Sequence, residues 1–157
     1  MDATTPATLR LTVGAATTTL ALDAPADAPR RWDWPLGHAT LWPTRPGGPS
    51  PVMIENAIQG VEDRIETMAR QVPAGARLVA SAATLAPLRR EGAIAGLQQG
   101  AIALAQIERE YQSLAARSMG APSARAQVFD HPSGDALVLI LRECLHHLGL
   151  DAVHLQD

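Results

Sequence analysis

Three side chains close to the C-terminus, Glu143, His146 and His147, have the chemistry and the spacing of metal ligands. Glu143 precedes the histidines by three and four residues, so in a helix either histidine lies on the same side as the carboxylate. The Glu-x-x-His spacing is used in di-iron bundles, which need a second copy that this sequence lacks. These residues are therefore candidate ligands of a divalent metal or acid–base groups. The alternative is a solvated helix end whose histidines interact with the helix dipole.

A second candidate is the Asp130–His131 pair, which lies in a segment of turn-forming residues. A carboxylate beside a histidine can orient the imidazole as a general base. The same residues are typical of a turn, in which polar side chains bond to nearby backbone. Cys144, the single cysteine, falls on the apolar side of the last predicted helix, and we expect it to be an inert core residue.

The sequence lacks the motifs of several well-known classes of protein. All 13 basic residues are arginines, and the absence of lysine excludes a Walker A phosphate lysine, a Schiff base and a PLP anchor. The patterns G-x-S-x-G, G-x-G-x-x-G, H-E-x-x-H and the EF-hand loop are also absent. These absences count against the well-known hydrolase, dinucleotide-binding, zincin and calcium-binding classes.

The charge of the chain argues against polyanionic partners. The net charge is −3 and the arginines are scattered, so we expect binding neither to nucleic acid nor to a membrane. The N-terminal residues lack the pattern of a signal peptide, and we expect a cytoplasmic protein. Abundant alanine and arginine without lysine are typical of a GC-rich bacterial genome.

The three tryptophans lie in a proline-rich zone near the N-terminus. Trp32 and Trp34 point the same way in an extended chain, and Trp42 follows eight residues later. Aromatic surfaces of this kind are favoured at protein interfaces. The alternative is that the tryptophans cover one face of a small sheet.

The first third of the chain has strand patterns. Thr8 to Val13 alternates apolar and polar residues, and Thr17 to Leu22 combines β-branched residues with spaced leucines. With Gly14 between them, these segments predict an antiparallel hairpin, which a strand at His38 to Trp42 would extend into a meander. The prolines from 43 to 51 predict a connector.

The rest of the chain is mainly helical in pattern. Ser50 and Pro51 predict the start of a helix over Val52 to Val72, where apolar residues recur every three or four positions. Further helices are predicted from Arg89 to Met119 and from Asp135 to Leu148. Residues Leu137 to Leu141 are apolar on every side of the last helix, so we expect this helix to be buried. Short strands are predicted at Arg77 to Ala80, Ala126 to Phe129 and Leu150 to Leu155.

Glycines recur every fourth residue at the start of the second predicted helix. Gly92, Gly96 and Gly100 would lie on one helix face, although each glycine costs roughly 1 kcal/mol relative to alanine. Such a row favours either a close helix contact, within the monomer or as the seam of a dimer, or a break in the helix near Gly100.

These elements predict an α+β fold in a single domain over residues 1–157. An N-terminal antiparallel hairpin or meander (8–42) and its connector to 51 would precede a mainly helical part (52–157) with short intervening strands. The alternative is a small α/β fold in which residues 77–80, 126–129 and 151–155 pair as a parallel sheet.

Two functions remain open on the sequence alone. The first is a non-catalytic accessory or assembly protein that works through protein–protein contacts, with a protein partner or as a homodimer. The second is a small metal-dependent or acid–base enzyme that uses Glu143, His146 or His147, with His131. It predicts a pocket where the end of the last helix meets the 130–134 turn. No cofactor is predicted apart from a divalent metal at these residues.

Overall fold

The computed structural model describes residues 5–25, 27–90, 93–94, 97, 100–121 and 129–157. The strands and helices within these ranges are, in chain order, β1 (Thr8–Val13), β2 (Thr18–Asp23), β3 (Arg30–Trp34), α1 (Pro51–Glu66), a 3-10 turn (Ala69–Gln71), β4 (Arg77–Ala80), α2 (Ala82–Leu85), a second 3-10 turn (Ala86–Leu88), β5 (Arg89–Arg90), β6 (Ala93–Ile94), β7 (Ala101–Ala103), α3 (Leu104–Ser118), α4 (Gly134–His147) and β8 (Ala152–Leu155).

One mixed sheet contains six of these strands in the order β3-β2-β1-β4-β8-β7. β2 pairs antiparallel with β1 and β3, so the first three strands form a meander. β4 is parallel to β1, and β8 is parallel to β4. The ends of these parallel strands, at Val13, Ala80 and Leu155, therefore lie along one edge, which we call the carboxyl edge. The opposite edge is the amino edge.

The core forms where the apolar face of the sheet meets the helices. In β1, Leu9, Leu11 and Val13 are buried, whereas Arg10 and Thr12 are exposed. This alternation follows from the period of two in a strand. The buried strand residues belong to one hydrophobic cluster with apolar side chains of α1, α3 and α4. Each fully buried leucine contributes about 1.5–3 kcal/mol relative to an exposed one.

The helix α4 is the most deeply buried element. Its central residues from Leu137 to Leu141 are fully buried, which confirms the prediction of a helix that is apolar on all sides. A short connection leads from α4 to the start of β8. The C-terminal end of α4 therefore lies near the amino edge, and its N-terminal end lies near the carboxyl edge.

The helix α1 also follows the sequence pattern closely. Ser50 is its N-cap, and the Ser50 hydroxyl accepts a hydrogen bond from the Met53 amide, while Pro51 occupies the first turn. The helix ends at Glu66, before the predicted end at Val72, and a 3-10 turn follows.

One predicted element is wrong, and another is correct only in its second half. Residues 38–42 form turns, and the third strand of the meander is β3, because the tryptophan segment itself pairs with β2. Of the helix predicted from Arg89 to Met119, Leu104–Ser118 is helical, and the break near Gly100 is confirmed by its φ of +77° and by the strand β7 that follows it. Gly100 therefore lies in a turn rather than on a helix face. Gly92, Gly96 and residues 126–128 lie outside the described residues, whereas Phe129 is described and buried.

The fold class is α+β, as predicted, with the N-terminal strands followed by helices around a mixed sheet. The parallel pairing that the alternative α/β fold required between residues 77–80 and 151–155 is also present, as β4 with β8. The short later strands therefore extend the N-terminal meander into one sheet. None of the helices among the described residues is long and apolar enough to cross a membrane.

Candidate functional site

A carboxylate–histidine cluster joins α1 to the last turns of α4. Glu143 and His147 are one helical turn apart, and Glu62 on α1 faces them. The His147 Nε2 atom lies 2.9 Å from Glu62 Oε1 and 3.1 Å from Glu143 Oε2. One potential ligand atom from each of the three residues lies within 4.8 Å of the other two. These residues therefore form a group that could hold a metal ion, which we call the Glu-Glu-His cluster.

Glu143 is the buried member of this cluster, with 1% of its surface exposed. A buried carboxylate is costly unless it is paired. Glu143 Oε1 accepts a hydrogen bond of 2.6 Å from Arg142 Nη1, and Arg142 Nε donates to Glu108 on α3 at 2.9 Å. The Arg142 guanidinium also lies 4.1 Å from the centre of the Tyr111 ring, and burial raises the pKa of that tyrosine.

The third predicted ligand, His146, lies outside the cluster. Its side chain is exposed, and its ring makes a T-shaped contact with His147 at 5.1 Å between ring centres. The predicted pocket between the end of α4 and the 130–134 turn is wrong, because the two lie at opposite ends of the helix. At a rise of 1.5 Å per residue, Glu143 and His147 are roughly 15–20 Å from Ser133 along the helix axis.

A cavity of about 760 Å³ lies at the other end of α4. It combines the loop that follows β3, the end of α3 and the start of α4. Ligands of open α/β sheets commonly bind at the carboxyl ends of the strands, and α4 begins on that side. We call this space the carboxyl-edge cavity, and its lining residues are His38, Ala39, Trp42, Pro43, Thr44, Arg45, Gly47, Gly48, Pro49, Arg117, Pro132, Ser133 and Asp135.

His38 reaches the cavity because its loop docks on the β1–β2 turn. The His38 amide donates to the Gly14 carbonyl at 3.0 Å, and the next amide, of Ala39, donates to Ala15 at 2.9 Å. Gly37 permits this contact, because a Cβ at that position would lie 2.2 Å from the Gly14 oxygen. Burial, and to a smaller extent His131, lowers the pKa of His38. Its Nδ1 atom is buried without a hydrogen-bond partner in the described part of the chain.

His131 contacts His38 rather than the Glu-Glu-His cluster, with 5.6 Å between the ring centres. Its Nδ1 atom accepts a hydrogen bond from the Ser133 amide at 3.0 Å, which is a local turn contact. This hydrogen bond agrees with the interpretation of the segment as a turn, and it keeps the His131 ring beside the start of α4.

Two arginines bring positive charge to the cavity. Arg117 forms two hydrogen bonds with Asp135, of 2.9 and 2.6 Å, and the two side chains are only 12% and 14% exposed. This bidentate pairing fixes the Arg117 guanidinium against the first turn of α4. Arg45 also lines the cavity, and its side chain is exposed. Because Asp135 balances Arg117, the charge of Arg45 leaves this lining with a net positive charge when His38 is neutral.

The tryptophans that were predicted to form an interface differ in how far they are buried. Trp34 is 5% exposed and belongs to the core, while Trp32 and Trp42 are partly buried against it. The tryptophans thus cover the apolar face of the sheet, and Trp42 also lines the carboxyl-edge cavity. Self-association through the partly exposed rings stays a prediction.

Sequence reasoning missed Glu62, His38, Arg117 and Asp135. Glu62 lies on α1, far along the chain from α4, and only the packing of the two helices brings it to His147. Arg117 and Asp135 lie at the end and the start of successive helices, which is the one local signal that they could pair. Cys144 is fully buried, and burial raises the pKa of its thiol to about 12, in keeping with an inert core side chain.

The chain matches no family model and no curated protein. It is similar to the solved structure of a PPX-GPPA enzyme from Aquifex aeolicus, with a TM-score of 0.67 at 12% identity over 96% of this chain and 53% of that chain. A Ppx/GppA phosphatase from the same organism has a TM-score of 0.66 at 14% identity, over 97% and 53%. An exopolyphosphatase from Cytophaga hutchinsonii has a TM-score of 0.56 at 14% identity, over 97% and 53%.

This likeness overturns the expectation of a non-catalytic protein that acts through protein–protein contacts, because the structures with this fold are described as an enzyme, a phosphatase and an exopolyphosphatase. At 12–14% identity the likeness concerns the fold. This chain spans about half the length of those structures, and it therefore has the fold of about half of a Ppx/GppA enzyme chain.

Proposed function

We propose that this chain binds a phosphate compound, an ester or an anhydride of phosphoric acid, in the carboxyl-edge cavity and hydrolyses it. The observation that carries the proposal is the cavity, which joins a histidine, two arginines and a helix N-terminus on a fold shared with a phosphatase and an exopolyphosphatase. The volume of about 760 Å³ lies in the range of small-molecule sites.

The electrostatics of the cavity suit a phosphoryl group. The first turn of α4 presents the positive end of a 14-residue helix, which attracts anions. Its N-cap, Ser133, makes no side-chain cap hydrogen bond. Arg45 supplies an exposed positive charge, and the guanidinium of Arg117 is held in place by Asp135. Such fixed donors stabilise the charge that develops on phosphoryl oxygens during transfer.

His38 has the properties of a proton acceptor for the attacking water. Its lowered pKa keeps the imidazole neutral near pH 7, which is the form that accepts a proton. In the proposed reaction, a water oxygen forms a bond to phosphorus while the bond to the leaving oxygen breaks. The water proton passes to the His38 imidazole, and the leaving oxygen, on the opposite side of phosphorus, takes its proton from solvent.

The proposal includes a divalent cation, for which the Glu-Glu-His cluster supplies the ligand chemistry. The separation of roughly 15–20 Å along α4 places this group beyond contact with a substrate in the cavity. Its contribution would therefore be to the stability of the helix packing, and the bond-breaking step relies on the cavity residues.

The test is phosphate release by the purified chain from p-nitrophenyl phosphate, pyrophosphate and inorganic polyphosphate. We expect release above the buffer rate for one of these classes. His38→Gln should lower kcat by about 10²–10⁴-fold, the usual contribution of a general base. Arg45→Ala should raise KM, because Arg45 is exposed and contributes mainly to binding.

Two variants serve as controls. His154→Gln changes a histidine on β8 whose pKa is also lowered, by burial and by Arg77, but which does not line the cavity. Arg10→Ala removes an exposed arginine from the sheet. Both should leave kcat and KM unchanged. No phosphate release from any substrate, or equal losses in the cavity and control variants, would refute the proposed function.

A further inference from the structure

The contacts of the Glu-Glu-His cluster match the edges of a metal coordination shell. With metal–ligand bonds of about 2.1 Å, neighbouring ligand atoms lie about 3.0 Å apart in octahedral and about 3.4 Å apart in tetrahedral coordination. His147 Nε2 is 2.9 Å from Glu62 Oε1 and 3.1 Å from Glu143 Oε2. Two of the three ligand–ligand distances thus already have the length that coordination requires, and all three ligand atoms lie within 4.8 Å of one another.

The region around the cluster also carries a net negative charge, which favours the binding of a dication. Glu62, Glu143 and Glu108 supply three carboxylates, and Arg142 supplies one guanidinium. The three carboxylates therefore outnumber the positive charges whichever form His147 takes, in a region where Glu143 is fully buried and the other side chains are 21–32% exposed. Partly buried charges are poorly screened, so a bound divalent cation would offset a real electrostatic cost.

The ligand types select the class of cation. Ca²⁺ takes 6–8 oxygen ligands, and Mg²⁺ retains several waters with carboxylates and phosphates. An imidazole nitrogen with two carboxylates is typical of Zn²⁺, Mn²⁺, Fe²⁺ and related ions. Three protein ligands leave the remaining positions to water.

We propose that Glu62, Glu143 and His147 bind a first-row transition-metal dication that ties the end of α1 to the end of α4. This extends the cation part of the proposed function but does not depend on hydrolysis in the cavity. The ion would replace the hydrogen bonds of His147 with coordination bonds across the two helices. Its role is to hold the helix layer at the amino edge of the sheet.

The experiment measures metal binding without any substrate. The chain is stripped with a chelator, and its thermal unfolding is followed by circular dichroism with Zn²⁺, Mn²⁺, Mg²⁺ or Ca²⁺, with calorimetric titration for affinity and stoichiometry. A metal at 100 times its Kd should raise Tm by about 5–10 °C for a chain of this length. We expect this rise with Zn²⁺ or Mn²⁺, one ion per chain, and no rise with Mg²⁺ or Ca²⁺ at equal concentration.

Matched variants separate the cluster from adventitious binding. Glu62→Gln and His147→Ala each remove one ligand at a half-buried position and should abolish the rise in Tm. Glu66→Gln, one turn further along α1, and His146→Ala, beside His147, remove exposed groups of the same types and should retain it. The metal-free Tm of each variant shows whether it folds.

Three outcomes would overturn the assignment: no metal raises Tm, Mg²⁺ and Ca²⁺ raise it equally, or Glu62→Gln and His147→Ala respond like the wild type. Loss of the response in His146→Ala alone would place any ion at the helix end instead. A failure of the phosphate-release assay leaves this result unaffected, because metal binding is measured on the protein alone.

Discussion

The docking of the His38 loop on the β1–β2 turn can be tested most directly at Gly37, where the two backbones are in contact. In Gly37→Ala the new Cβ would lie 2.2 Å from the Gly14 oxygen and 2.6 Å from the backbone of Ala15. These neighbours are backbone atoms, so no side chain can rotate away, and the loop must retreat by about 1 Å to reach ordinary contact. That retreat breaks or lengthens the two amide hydrogen bonds that His38 and Ala39 donate to the turn.

The magnitude follows from these contacts. Overpacking costs about 1–3 kcal/mol, and each weakened hydrogen bond costs about 1 kcal/mol. We therefore expect the free energy of unfolding to fall by about 3–5 kcal/mol. For a chain of 157 residues this corresponds to a decrease in Tm of roughly 10 °C, measured by circular dichroism. The loop carries His38, so phosphate release should fall as well.

Gly60→Ala is the matched control for this substitution. A Cβ at Gly60, within α1, would have Arg64 Nη1 as its nearest neighbour at 3.7 Å, which is an ordinary contact. Alanine in a helix interior is more stable than glycine by about 0.5–1 kcal/mol, so Tm should rise slightly. A Gly37→Ala variant within about 1 kcal/mol of the wild type would show that the loop does not dock on the turn as described.

Three further predictions concern buried charges and the thiol. Arg117→Ala leaves Asp135 buried and unpaired and should cost about 3–5 kcal/mol in urea unfolding, whereas the double variant with Asp135→Asn should recover part of this loss. The pKa of His38 is lower in the folded protein than in the unfolded chain, so the unfolded chain binds more protons below pH 6.5. Stability should fall as the pH drops below 6.5 toward 5, and His38→Gln should reduce this slope, while an unchanged slope would contradict the lowered pKa. Cys144, with a thiol pKa of about 12, should react with a thiol reagent only in denaturant, and rapid labelling of the native protein would contradict its burial.

Local sequence patterns predict those strands and helices that are determined by residues close to them in the sequence. The alternation of β1, the cap at Ser50 and the apolar centre of α4 all appear in the structure, because each reflects burial within one element. The first half of the helix predicted from Arg89 is wrong because burial within one element does not determine it. Aliphatic residues and glycines at helical spacing can form either a helix or short strands and turns. In this chain residues 101–103 form a strand because they pair with β8, which is a tertiary contact.

Two of the three residues of the Glu-Glu-His cluster can be predicted from the sequence. Glu143 and His147 are one turn apart on a helix, and this spacing is visible in the residues. Glu62 is 85 positions from His147, so the partner depends on how α1 packs against α4. His38 was missed for a different reason: its place in the cavity depends on a loop that docks on the β1–β2 turn, and no periodic pattern reports such a contact.

The two charged sites follow from the burial of α4. Because the middle of this helix is apolar on every side, charged side chains can occur only towards its ends, at Asp135 and at Glu143 with His147. The separation of roughly 15–20 Å then limits how a metal can act. Metal bound at the Glu-Glu-His cluster should change the fraction of folded protein, and so the apparent kcat, without changing KM. If added metal lowers KM in Glu62→Gln as strongly as in the wild type, the ion acts with the substrate in the carboxyl-edge cavity, and the separation of roles argued from α4 is wrong.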